Sequence, residues 1–151
     1  MQSRDIFDNL SPLDHRYWQA NPELFDSLSL WLSDRASVRA CVRAEIALLM
    51  AHLTVRGLET PERFRELDDL ASSVDPEEVA REEEKTRHNV RALVNVLQRK
   101  VPKDLAPLVH LGATSVDILD TARAVQLRGA VREVLLPLLA RVLAELSRLA
   151  V

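Results

Sequence analysis

The tract "HLGATSVDILDTA", residues 110–122, sets a histidine, a glycine, two adjacent hydroxyls and an acid within a few positions of one another. Gly112 permits a tight backbone conformation, and Thr114 or Ser115 can cap a following helix whose N-terminal N–H groups and positive dipole end attract an anion. Such a loop can hold a carboxylate. The same residues also describe an ordinary N-cap with Asp117 in the first turn of the helix. A second tract, "KTRHNV", brings Arg87 and His88 to a helix start with Lys85 nearby, a cationic donor cluster suited to phosphate or carboxylate. A capping or surface histidine is the alternative there. In a third, "SPLDHRYW", Arg16 and Tyr17 can grip an anion and stack, or the aromatics can form a packing clasp. His15 and His52 have no partner legible in the sequence and read as structural. No metal-spaced cluster of Cys and His, no P-loop and no dinucleotide fingerprint occurs.

These groups need a scaffold, and the composition says of what kind. The chain has 151 residues, 47% hydrophobic and 28% charged, which is enough for one globular domain or for one domain and part of another. Its 20 basic and 23 acidic residues are spread without a basic block or interleaved aromatics, so no nucleic-acid partner is expected. A single cysteine, Cys41, cannot form an internal disulfide and lies in an apolar helical stretch, where it reads as a core filler in a cytoplasmic protein. The N-terminus lacks the apolar run of a signal peptide, and Arg141, Glu145 and Arg148 interrupt the leucine-rich end, so no membrane association is expected.

Only three glycines and no sustained period-two alternation point to an all-α fold of long helices. The first thirty residues, with their prolines, read as an extended arm with at most a turn of helix. Ser33 or Asp34 can then cap a helix with Val38, Val42, Ile46, Leu49, Met50 and Leu53 on one face and Gly57 as its stop. Thr60-Pro61 and Asp75-Pro76 each place a cap before a proline at the first helical position, and Glu78 completes a capping-box pattern with Asp75. The run "REEEKTRH" reads as a solvated helix face. After it, Val90, Leu93, Val94 and Leu97 mark a further apolar stripe ending near Pro102. Helical patterning resumes at Ser115, is weakened at Gly129, and is either kinked or restarted at Pro137. In the last segment Arg141, Glu145 and Arg148 form one narrow stripe while leucines and valines cover the remaining circumference, as in a helix inside a bundle. The chain stops at "LAV" without a capping signal, which reads as the front part of a longer protein or a piece that associates with other chains.

Taken in order, "SPLDHRY", "EEEKTRHNV", "HLGATSVDILDTA" and "LLPLLARVLAEL" resemble the adenylosuccinate lyases of the fumarase/aspartase superfamily over nearly the whole chain. The resemblance implies an N-terminal helical domain over residues 1–112 and, over 113–151, the first long helix of a central bundle. It implies a cytoplasmic homotetramer in which each active site draws on three subunits. The implied reaction, part of purine biosynthesis, removes fumarate from adenylosuccinate and a related imidazole ribonucleotide by anti β-elimination without a cofactor. By resemblance Arg16 and Tyr17 bind the substrate phosphate, Arg87 and His88 line the nucleotide pocket, His110 supports the phosphate end, and Thr114 with Ser115 binds a succinyl carboxylate. Asn89 stands where the family usually has aspartate, which keeps hydrogen-bonding capacity and loses a charge. The family's general acid and general base would both lie beyond Val151, so no catalytic residue is expected in this chain. Two other readings remain open: a free-standing helical interaction module with the lyase N-terminal fold, and another superfamily member such as a carboxymuconate-type cycloisomerase.

Overall fold

A computed structural model describes residues 5–10 and 14–150 of the chain, the side chains of Ile6, Asp14 and His15 excepted. The expectation for His15, and the Ser11, Pro12 and Leu13 portion of the third tract, therefore lie outside the described residues. Among the described residues the fold is all-α, with no strand. The helices are α1 (Asp14–Ala20), α2 (Pro22–Leu32), α3 (Asp34–Val55), α4 (Pro61–Ser73), α5 (Pro76–Thr86), α6 (Asn89–Lys100), α7 (Ser115–Gly129) and α8 (Leu136–Leu149), with short 3-10 turns at Ile6–Asp8 and Ala106–Leu108. They form two compact units, Val38–Arg123 and the combination of Met1–Ser37 with Ala124–Val151.

In Val38–Arg123 the core is one apolar cluster to which two helix faces contribute most. Val42, Ile46, Leu49 and Leu53 of α3 are buried, and so are Val90, Leu93, Val94 and Leu97 of α6, the stripes that the residue spacing marks. Leu67 and Ala71 of α4, Val79 of α5 and Ile118 and Ala122 of α7 complete the same cluster. Each helix end carries its local signal. The Ser33 hydroxyl accepts from Ala36 N at 3.2 Å at the start of α3. At the other end Leu58 N donates to Leu53 O and Gly57 N to Thr54 O, the paired bonds of a Schellman stop with Gly57 at φ 63°. Thr60 and Asp75 accept from Arg63 N and Glu77 N ahead of Pro61 and Pro76. The carboxylate of Glu78 is turned to Lys100 Nζ, 2.8 Å away, an ion pair between α5 and α6 that the capping-box pattern did not anticipate. Within "REEEKTRH", Glu83 and Glu84 are solvated as expected, whereas Glu82 faces α6 and accepts from Asn95 and Arg99 at 3.0 and 3.3 Å. Cys41 is buried, and burial pushes its thiol up to about 11, the chemistry of a core filler.

The N-terminal thirty residues correct the expectation of an extended arm, because α1 and α2 are helices. Pro22 does not break the chain; it occupies the first turn of α2, where the missing N–H has no intrahelical partner to lose. Arg35 ties the preceding turn to this unit through Asp5 and Asp8 at 2.6 and 2.8 Å. At Gly129 a Cβ would fall 2.1 Å from the Trp31 ring, so glycine here serves close approach of an aromatic. The weakening expected at Gly129 and Pro137 takes the form of a π-helical segment, Ala130–Leu135, between α7 and α8. Leu136 N bonds to Val131 O, five residues back. This wider turn relieves the clash that a proline ring makes with the carbonyl four positions earlier. On α8, Leu136, Leu139, Leu143, Leu146 and Leu149 are all exposed, between 53% and 72%.

Candidate functional site

The tract that opens the sequence reading is built as a turn followed by a capped helix. Ala113 N donates to His110 O across a four-residue turn, and Gly112, third in it, has φ 75°, a value glycine adopts without a steric penalty. Thr114 precedes α7, and Asp117 reaches back to accept from Thr114 N at 2.8 Å and from the Thr114 hydroxyl at 3.0 Å. This is the reciprocal arm of a capping box with aspartate as the acid. It engages the Thr114 hydroxyl, whereas the hydroxyl of Ser115, the first residue of α7, has its contact with another loop. Those two hydrogen bonds from Thr114 hold the Asp117 carboxyl below its ordinary value.

The second tract converges on that hydroxyl. Arg87 ends α5 in the left-handed conformation, φ 54°, which turns the chain sharply enough for His88 to cap α6. His88 Nδ1 accepts from Arg91 N at 3.2 Å, so the ring proton is on Nε2, and Nε2 lies 3.5 Å from Ser115 Oγ. Capping and site readings thus hold together: one nitrogen ends the helix and the other faces the neighbouring loop. Asn89 turns its side-chain oxygen to Val90 N at 2.7 Å, a local bond that an aspartate could also make. The only non-glycine residues with positive φ among the described residues are Arg87 and His110, both already singled out by residue type. Such conformations are uncommon away from glycine and persist where the surroundings enforce them.

His110 is held from the core side. Its Nδ1 is 2.6 Å from Oε1 of Glu45, a residue of α3 whose side chain is fully buried. Burial pushes the Glu45 carboxyl up, and the nearby His110 opposes the shift. Beside them His52 donates from Nε2 to Leu111 O at 2.8 Å and accepts at Nδ1 from Arg56 at 3.0 Å, which pins the turn and gives His52 the structural part expected of it. Glu45 was not among the residues singled out from sequence. The signal was present: Glu45 falls three after Val42 and four before Leu49, on the apolar face of α3, where an unpaired acid is costly.

Arg87, His88, Asn89, His110, Thr114 and Ser115 therefore all belong to the Val38–Arg123 unit. Arg16 and Tyr17 lie on α1 in the other unit, both exposed. Among the described residues no group of three or more His, Cys, Asp or Glu side chains could hold a metal ion, and no helix is long and apolar enough to cross a membrane. The arrangement offers hydrogen-bond donors of neutral and cationic type, from His88, Ser115 and Arg87, to a ligand rich in oxygen.

The acid dependence of this scaffold follows from two carboxylates. The groups of Glu82, bonded by Asn95 and Arg99, and Asp117, bonded by Thr114, are both held below their ordinary values of 4.5 and 3.8. A depressed folded value stabilises the fold above the unfolded value and loses that contribution as pH falls through the folded one. The urea midpoint is expected to decline from about those ordinary values downward, and Asp117→Asn to make that decline shallower. Identical acid profiles for the two chains would refute the assignment.

Known proteins carry the same sequence pattern. The chain is 38% identical over 136 residues to the adenylosuccinate lyase of Archaeoglobus fulgidus, covering 89% of this chain and 28% of that protein. It is 30% identical over 148 residues to the adenylosuccinate lyase of Buchnera aphidicola, 93% of this chain and 32% of the relative. The enzyme of that name from Methanocaldococcus jannaschii matches at 30% over 122 residues, 80% of this chain and 25% of the relative. The chain thus spans about 30% of the length of the relatives it matches. No protein-family model matches it, and no solved structure does.

Proposed function

We propose that this chain, an N-terminal portion of an adenylosuccinate lyase by its likeness to those enzymes, supplies substrate-binding groups to a site completed by other segments. The activity of the whole is elimination of fumarate from adenylosuccinate and the related imidazole ribonucleotide, a step of purine biosynthesis in the cytoplasm. The observation that carries this reading is the approach of His88 Nε2 to Ser115 Oγ at the N-terminus of α7, next to the two non-glycine residues with positive φ. Ser115 donates to a succinyl carboxylate, aided by the N-terminal N–H groups of α7. Thr114 supports it from the cap, where its own hydroxyl serves Asp117. Arg87, His88 and Asn89 meet the nucleotide and His110 serves the phosphate end; the likeness to those enzymes separately gives Arg16 and Tyr17 a phosphate-binding part.

The proton beside one succinyl carboxylate leaves to a base, the charge spreads into that carboxylate, and an acid protonates the departing nitrogen. Donors fixed at that carboxylate stabilise the carbanion more than the ground state, which is how a binding residue raises the rate. The base and the acid come from outside these residues.

The exposed leucines of α8 fit the same account. Burying each against another helix is worth about 1.5–3 kcal/mol, and the helical bundle of a tetramer would cover them. An interaction module that uses α8 for self-assembly is the second reading favoured by this surface. Sedimentation of the chain with a separately expressed downstream segment of a related lyase separates the two. Association with that segment is the expected result. A stable dimer or tetramer of this chain alone, with no affinity for the segment, would support the module instead.

A further inference from the structure

The Glu45 and His110 pair has a feature that packing alone does not explain. Glu45 Oε1 is 2.6 Å from His110 Nδ1, yet Glu45 Oε2 is buried with no hydrogen-bond partner among the described residues. A fully ionised carboxylate with one oxygen desolvated and unpaired is costly, and the cost falls when a proton is held between the two groups. His110, with 20% of its side chain exposed against none for Glu45, stands between that buried acid and solvent. Its left-handed backbone, φ 63°, sets the ring at the start of the turn that leads into α7. The two nitrogens of an imidazole lie on opposite edges of the ring. With Nδ1 taken by Glu45, Nε2 is the nitrogen left for the outside.

We propose that Glu45 is the positioning residue for His110: its buried carboxyl shares a proton with Nδ1, fixes the ring plane and keeps Nε2–H as an outward donor to a phosphate monoester. A donor is what a phosphate requires, whereas the opposite tautomer would present a lone pair to an anion and repel it. The ligand class rests on the reading that His110 serves the phosphate end of the substrate. The positioning itself does not depend on that reading.

Two variants test it. Glu45→Gln keeps the shape and can donate its amide to Nδ1, so it imitates the protonated carboxyl and holds Nε2–H in place. Glu45→Leu removes the partner. Long-range proton–nitrogen correlation spectra of the chain report which ring nitrogen of His110 carries the proton. The native chain and Glu45→Gln should show a protonated Nε2, and Glu45→Leu an exchange-averaged ring. Unchanged His110 signals in Glu45→Leu would overturn the proposal; should that variant not fold, a lone-pair signal at Nε2 in the native chain would do so.

The second readout uses this chain assembled with the downstream segment of a related lyase. Glu45→Leu should raise KM for adenylosuccinate about 10-fold, equivalent to about 1.4 kcal/mol, with kcat little changed, and Glu45→Gln should restore it. KM for succinyladenosine, which lacks the phosphate, should not move. Equal loss in both variants and for both substrates would mark Glu45 as merely structural and overturn the proposal. If the ring signals respond as expected and neither KM changes, the positioning is upheld, and the assignment of His110 to the phosphate is the part that fails.

Discussion

Replacing Leu97 by alanine is expected to lower the unfolding free energy by about 2–5 kcal/mol, the range for emptying a fully buried leucine site. Leu97 has no exposed surface and lies near the end of α6 in the buried core cluster. The cluster draws on α3, α4, α5, α6 and α7, so its members are held by several helices and collapse little into the space. For a chain of this length such a loss lowers Tm by roughly 5–20 °C. The effect reaches the site through the helix, because α6 is capped by His88 and loses that cap when it frays. His88 and Ser115 contacts should therefore weaken in the variant well below its Tm. Thermal unfolding checks the first part, and the imidazole resonances of His88 check the second. A change in Tm under about 2 °C would mean that the core is more plastic than its burial implies.

Ser115→Ala is the second large effect, and it falls on activity. Alanine keeps α7 and leaves the cap made by Thr114 and Asp117 in place, so folding should be close to native. On the proposed reading, what disappears is one hydroxyl donor to the succinyl carboxylate, which gains charge as the carbanion forms. A hydrogen bond to a charged group is worth about 1.5–3 kcal/mol, hence a fall in kcat/KM of roughly 10- to 100-fold in the assembled enzyme. A loss expressed mainly in kcat would show that the bond strengthens in the transition state, and a loss confined to KM would show uniform binding. Full activity would remove Ser115 from the site.

Particular residues show how far the sequence could be read. The faces of α3 and α6 were legible because the buried valines and leucines recur at helical spacing, and Thr60, Asp75 and Gly57 marked helix ends through strictly local bonds. The helices before residue 33 were missed because a proline in isolation looks like a breaker; only the residues following Pro22 decide that it begins a turn rather than interrupting one. The π-helical segment follows directly on Gly129, and the Trp31 ring lying against that glycine is a tertiary contact that no local pattern encodes. The site divides in the same way. Arg87, His88, His110, Thr114 and Ser115 carried a signal in residue type and spacing, whereas the contacts of His88 with Ser115 and of His110 with Glu45 span 27 and 65 positions. Glu45 is 65 positions from His110, and its importance is visible only once the acid is seen to be buried. Thr114 shows the converse. The resemblance gave it a ligand contact, whereas its type and spacing allowed an ordinary cap with Asp117, and in the fold its hydroxyl donates to Asp117.

Fumarate release from adenylosuccinate, followed by absorbance, tests the central claim most directly. It should be measured for this chain alone, for the downstream segment of a related lyase alone, and for the two together. Release on mixing only, and its loss with Ser115→Ala, is the predicted result. Release by this chain alone would contradict the assignment of the acid and base to other segments. No release from a folded mixture in which the two pieces demonstrably associate would contradict the proposal that these residues bind the substrate for elimination.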